Sequence, residues 1–392
     1  DGGGDEFDFT LSSTFTGKTI VASTQGILVA DVNMAAGARE IHSIGLGPYA
    51  TSLDNNHGLE QKGVMLLSDS SSPAALTSAF VARGAVKSFA ARTDFQYAFR
   101  YMGLTSFPTI DVSNGVNCSS AWQGYVGTTF PALNFASATS LSSAWYDAAS
   151  LTSLPAIQAP VCSNFNSAWK GNTALATIDP AANFGESASN VNFNNAFRTS
   201  GLTTLPADLD MSQGDTFVSA FFGCSSLATI GTGVKLGTAS ASNVNFTYAF
   251  LNTGLTALPA GLDMSKGSSF ISTFQSCGSL TTIGTGVKLG TAASSVNFTN
   301  AFHTSGLTAL PANLDLSQGS NFKQAFKNCA SLTTIGSGVF LGTASNGVDF
   351  TDAFRDCTNL VTLPANLNLS KGDDFNASFF NCSSLVTFPA GA

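Results

Sequence analysis

The apolar residues of this chain fall into a repeated phrase. Two bulky apolar residues stand four apart with a small residue just before the second, as in Phe217–Phe221 and Phe246–Phe250. The phrase or a close variant begins at Phe95, Cys118, Leu141, Phe165, Phe193, Phe217, Phe246, Phe270, Phe298, Phe322, Phe350 and Phe375, at intervals of 23 to 29 residues. Short and long intervals alternate in the later part, so residues 269–290 nearly repeat the wording of residues 216–237. Positions i and i+4 share one face of a helix, so each phrase predicts a short helical turn pressing that face inward. A Leu-Thr-x-Leu/Ile segment follows, as at Leu202 to Leu205 and Leu227 to Ile230, and predicts a short strand; Pro or Gly then turns the chain. One such unit cannot bury its own apolar face, but stacked units cover one another. The expectation is an α/β repeat solenoid over residues 76–392, with about twelve units, one parallel sheet of short strands and short helical turns. "LTSAF" at Leu76–Phe80 reads as a degenerate first unit. Residues 1–75 lack the phrase. There "GKTIVASTQGILVADVNM" reads as strands and turns, so this β-rich segment is expected to cap the array or attach it to something larger.

Stacking in register turns equivalent positions into columns. Three residues after the second bulky position stand Met102, Tyr125, Ala148, Asn172, Ser200, Cys224, Thr253, Cys277, Ser305, Cys329, Cys357 and Cys382. A redox or metal site is one reading of the five cysteines. We favour a buried ladder of small side chains bonded to the turn backbone, because no His stands near and C-x-x-C spacing is absent. The odd total of seven Cys leaves at least one thiol unpaired within the chain, and mostly free thiols are expected, although Cys329, Cys357 and Cys382 occupy consecutive coils. A second column, eight residues after the Leu of each Leu-Thr segment, reads Asp210, Lys235, Asp263, Lys288, Asp315, Phe340 and Asn368. Its alternating sign fixes register and keeps like charges apart. It also offers a polar binding stripe for a glycan or a partner protein. Trp122, Trp145 and Trp169 take the second bulky position of three consecutive units, where core packing is favoured over a carbohydrate platform. The long units carry extra Ser/Thr/Asn/Gly residues, as in "LGTASASNVNF" (Leu236 to Phe246), and these map to one rim, the place for ligand contacts.

"AFFGCSSLATI", "TFQSCGSLTTI" and "AFKNCASLTTI" resemble the leucine-rich repeats of bacterial surface proteins of the BspA-like type. "LTSFPTIDVSNGVNCSSAWQG" (Leu104 to Gly124) is similar to repeats in predicted structural proteins of marine tailed phages. The resemblance spans residues 76–392. It implies a leucine-rich-repeat-like solenoid and a role in surface adhesion or host recognition.

Composition narrows the function classes. The chain has 392 residues, 10% charged, with a net charge of −8. Such an acidic chain is a poor partner for nucleic acid, and no apolar run approaches a transmembrane helix. N-x-S/T triplets begin at Asn117, Asn245, Asn297, Asn368, Asn376 and Asn381. The four carboxylates of "DGGGDEFD" (Asp1–Asp8) read as a solvated tail or linker rather than a calcium site. His42, His57 and His303 are scattered, and no nucleophile elbow, P-loop or metal-ligand cluster appears, so neither an enzyme nor a cofactor is expected. The expected protein is a non-enzymatic recognition or adhesion protein, extracellular or on a virion surface, that binds protein or glycan on a host or neighbouring cell. The alternative is a structural subunit of an extracellular fibre, filament or virion appendage. "SLVTFPAGA" shows no polar capping unit, so self-association at the C-terminal end is also expected.

Overall fold

The structure, a computed structural model, describes residues 93–388 apart from 102–103, 108, 110 and 240–242, together with five strands before residue 93. Three of those strands, Thr10–Leu11, Arg39–Ile44 and Met65–Asp69, form an antiparallel sheet. Thr16–Lys18 and Val32–Asn33 pair antiparallel as a separate ribbon. The expected boundary at residue 75, the degenerate unit at Leu76–Phe80 and the Asp1–Asp8 tail lie outside the described residues. The chain divides into two units, residues 1–175 with 181–184, and residues 176–180 with 185–392.

In the second unit the repeat phrase winds into stacked coils. Val191–Asn192, Gly214–Thr216, Val244–Asn245, Gly267–Ser269, Val296–Asn297, Gly319–Asn321, Val348–Asp349 and Gly372–Asp374 form one eight-stranded sheet in that order, and every pairing is parallel. Two further rows lie elsewhere on each turn. Asp210–Met211, Lys235–Leu236, Asp263–Met264 and Lys288–Leu289 form a four-stranded parallel sheet, and Asp315–Leu316 pairs with Phe340–Leu341. The Leu-Thr segments give the third row, as in Thr204–Leu205 with Thr229–Ile230 and Ala257–Leu258 with Thr282–Ile283. The expected single sheet is therefore three rows, because turns interrupt each coil between its strands.

The expected helical turns do not form: the described residues contain no helix. The segment 193–200 shows why. The N–H groups of Phe193, Asn195, Phe197 and Thr199 donate to the carbonyls of Thr216, Val218, Ala220 and Phe222 in the next coil, at 2.8–2.9 Å. The intervening N–H groups of Ala196, Arg198 and Ser200 donate locally to Phe193, Asn195 and Phe197, three residues back, at 3.0–3.1 Å. Asn195 and Thr199 both have φ +55°. A positive φ at the third residue of a hydrogen-bonded four-residue turn marks type II geometry, so the segment is a run of linked turns. It exchanges the i→i−4 bonds of a helix for lateral bonds to its neighbour. Phe193, Ala196, Phe197 and Ser200 are nonetheless the buried positions, and that spacing is also the one a helix face would show.

The core is made of aromatic stacks. The first bulky positions stack from Phe193 through Phe217, Phe246, Phe270, Phe298, Phe322 and Phe350 to Phe375, with ring centroids 5.2–5.4 Å apart. The second positions stack from Phe197 to Phe379 at 5.0–5.6 Å. Burying one such ring contributes roughly 1.5–3 kcal/mol, and offset stacking adds to it. A Cβ at Gly214 or Gly267 would run into the ring of Phe217 or Phe270, so the turn entering these strands accepts only glycine.

The first unit is built on the same plan. Parallel bridges join Asp94 to Asn117, Asn117 to Ser140, and Ser140 to Asn164. Phe99, Trp122, Trp145 and Trp169 stack at 5.1–5.9 Å, and the three indoles are fully buried. They form core, with Phe130 and Phe135 set edge-on against Trp122 and Trp145. Among the described residues, none accepts a hydrogen bond from Nε1 of Trp122 or Trp145.

Candidate binding face

The charged column is in register. Asp210 faces Lys235, Lys235 faces Asp263, and Asp263 faces Lys288 across adjacent strands; Asp315 faces Phe340. Its inward neighbours Met211, Leu236, Met264 and Leu289 are buried, because successive strand residues point to opposite faces.

Each acidic or amide member has a backbone task. The N–H of the residue two further on donates to one side-chain oxygen: Ser212 to Asp210, Ser265 to Asp263 and Ser317 to Asp315 at 2.9 Å, and Ser370 to Asn368 at 3.0 Å. These Asx turns start the bend that leaves the strand. The second carboxylate oxygen points along the column. It takes Lys235 Nζ at 2.8 Å on Asp210 and Lys288 Nζ at 3.4 Å on Asp263. Each lysine thus pairs backward, and the steps from Lys235 to Asp263 and from Asp315 to Phe340 carry no ion pair. Burial tends to raise Asp210, but the hydrogen bonds from Lys235 and Ser212 outweigh it and hold the carboxyl below its usual range. Burial likewise opposes the Ser265 and Lys288 contacts at Asp263, which also ends low. The Asp210 contact raises Lys235.

The step from Lys235 to Asp263 opens into a cavity of about 190 Å³, lined by Gly233, Lys235, Thr238, Pro259, Gly261 and Asp263. Gly233 and Gly261 have φ +76° and +73°, which lets both corners turn tightly there. Phe340 stands in the column with 46% of its surface exposed. The long loops begin at Gly237, Gly290 and Gly342, directly after the column strands. The N–H groups of Ala239, Ala292 and Ala344 donate to Ser212, Ser265 and Ser317 in the preceding short coil, each at 2.9 Å. The rim of extra residues and the charged column therefore border the same face.

The cysteine column lies inside the coil. All seven cysteines are free and buried. Sγ of Cys224, Cys277, Cys329, Cys357 and Cys382 donates to the carbonyl of Phe197, Phe250, Phe302, Phe326 and Phe354, at 3.0–3.1 Å. Ser200, Thr253 and Ser305 fill the same position between them and contact the next thiol at 3.2–3.3 Å. Burial pushes the Cys224 and Cys329 thiols up to about 11. Protonated and enclosed, these groups have the environment of structural rather than reactive cysteines.

One turn recurs in both units and is not apparent from the apolar spacing. Asn117, Asn164, Asn192, Asn245 and Asn297 each accept the N–H two residues on, at 2.9–3.1 Å. At Asn117, Asn245 and Asn297 the N-x-S/T spelling coincides with this turn. The signal was present as an Asn, Asp or Ser directly before every repeat phrase but the one at Phe217, which follows Thr216. His303 Nε2 lies 3.3 Å from Asn328 Nδ2, and burial with Lys327 nearby holds the imidazole below its usual range. Among the described residues no three His, Cys, Asp or Glu gather to hold a metal ion, and no helix is long and apolar enough to cross a membrane. At the C-terminal end Phe375, Phe380, Val386 and Phe388 are exposed, and Phe375, Phe379, Phe380 and Phe388 border a cavity of about 670 Å³.

No protein-family model matches this chain, and no curated protein matches it. Among solved structures it is similar to a leucine-rich repeat protein from Bacteroides ovatus ATCC 8483, at 13% identity over 66% of this chain and 82% of that one, with a TM-score of 0.19. A likeness that low does not bear on the fold. By the parallel register of its own coils, the unit of residues 185–392 is a β-solenoid.

Proposed function

We propose that this chain is a non-enzymatic recognition protein, displayed on a cell or virion surface, that binds a glycan or protein of a host or neighbouring cell through the face holding Asp210, Lys235, Asp263, Lys288, Asp315, Phe340 and Asn368. One observation carries the reading: a half-exposed Phe340 continues a column of polar side chains already fixed by Asx turns and ion pairs. Pre-fixed polar groups beside an exposed aromatic ring lose little side-chain freedom when a ligand arrives. The A-F-x-x-C-x-x-L-T-x-I spelling, which resembles surface-protein repeats, points the same way. The purified chain is tested on an array of glycans and on intact bacterial and eukaryotic cells, beside the variant Lys235→Ala/Lys288→Ala/Phe340→Ala. The expected result is binding to at least one surface, weakened tenfold or more in the variant at an unchanged melting temperature. Binding to none of them, or equal binding by the variant, overturns the proposal.

A further inference from the structure

The face just described has a length scale. Adjacent parallel strands lie about 4.8 Å apart, and stacked rings in successive coils of the second unit have centroids 5.0–5.6 Å apart. The chemistry, however, repeats every second coil, so its period along the stack is roughly 10 Å. Within each period the column presents one carboxylate and one ammonium: Asp210 with Lys235, then Asp263 with Lys288. Thr238, Thr291 and Thr343 stand at the foot of the long loops, in the coils of Lys235, Lys288 and Phe340.

We propose that this face binds an extended β-1,4-linked polysaccharide of the cellulose or chitin kind, lying along the stacking direction with one sugar residue per coil. The proposal rests on the recognition role argued above and names its ligand class. In such a chain each pyranose is turned half-way round relative to the last, so the repeating unit is a disaccharide of about the two-coil length. Successive sugars offer opposite edges to one side, first one set of hydroxyls and then the other. A column that alternates acceptor and donor at the same spacing meets each edge with the same group every time. Charge-assisted hydrogen bonds to hydroxyls are the strong ones. The ion pairs at 2.8 and 3.4 Å hold Lys235 and Lys288 in place beforehand. The cavity between Lys235 and Asp263 falls at a step without an ion pair, where a hydroxymethyl or acetamido group has room. Phe340 takes the place a lysine holds one period earlier, and its exposed ring offers an apolar contact to C–H groups of a pyranose. Charge balance along the column favours an uncharged, hydroxyl-rich ligand over a polyanion or polycation. An α-1,4- or β-1,3-linked glucan winds into a helix and loses the two-residue period.

The test uses the intact chain. Co-sedimentation with microcrystalline cellulose and with chitin is compared with starch granules and a β-1,3-glucan. Calorimetry then follows soluble cello- and chito-oligosaccharides of two to six residues. Expected are binding to a β-1,4-linked polymer only, and affinity that rises at least tenfold from the dimer to the hexamer as more coils engage. Phe340→Ala and Lys288→Ala should each lower binding severalfold at an unchanged melting temperature, and Phe340→Trp should retain it. Cellulose against chitin distinguishes the bare from the acetamido sugar. Absence of binding to both polymers, affinity independent of oligomer length, or full binding by Phe340→Ala overturns the proposal. If the chain then still binds other glycans or cells through this face, the recognition role stands and only the ligand class falls; if it binds none, both fall.

Discussion

A buried thiol in this protein is a hydrogen-bond donor. Cys224 and Cys329 each bond the carbonyl of the second Phe one coil back, and burial lifts them from 9.0 to about 11. The sign of the pH effect follows. A group whose pKa is raised by folding supports the fold fully below its unfolded value, and that support is lost as pH climbs through the folded value. The melting temperature should therefore fall between pH 9 and pH 11. It should fall less in a Cys224→Ser/Cys329→Ser variant, which keeps a donor and loses the titration; differential scanning calorimetry across that range checks this. The column was legible in the sequence because every coil spends the same number of residues between its second Phe and this slot. The direction of each ion pair was not. Equal spacing makes Asp263 a neighbour of both Lys235 and Lys288, and only side-chain rotamers choose between them.

The repeat phrase misleads at the scale of the element. Residues buried at positions one, four, five and eight spell the face of a helix, yet here they are the inward corners of linked turns. The distinguishing mark is the third and seventh residue, which hold φ near +55°: Asn195 and Thr199, Ser272 and Ser276, Asn300 and Thr304. Ser, Asn and Asp recur there, and Asn tolerates that region better than most. Thr304, a β-branched residue at φ +57°, is out of place, while Asn252 and Asn328 fill the same slot elsewhere at φ +57° and +59°. Thr304→Asn should raise stability by about 1 kcal/mol, and Asn252→Thr should lower it by about as much; urea denaturation of the two variants measures both. A frequency of Asn and Ser too high for helix interiors was the available signal. The apolar spacing concealed it.

At the scale of the whole molecule, the second unit is modular in pairs of coils. Short coils bring Asp210, Asp263 and Asp315; long coils bring Lys235, Lys288 and Phe340 and the protruding rim. Excising residues 218–270 removes one long and one short coil and leaves every junction alternating, so that variant should fold with a similar melting temperature per residue. Excising residues 218–246 removes only the long coil and sets Asp210 beside Asp263. It should melt well below the paired deletion or aggregate, as circular dichroism and size-exclusion chromatography would report. The three-row architecture was hidden in the sequence because two-residue strands separated by Gly and Pro leave no period of their own. Register was plain from the spacing alone.

This alternation bears on inheritance. Residues 216–237 and 269–290 are close in wording, and an unequal exchange between the gene segments that encode them would gain or lose a long and a short coil together. Descendants of this gene should consequently vary in length by even numbers of windings, with the order of acid and base preserved through every change of size.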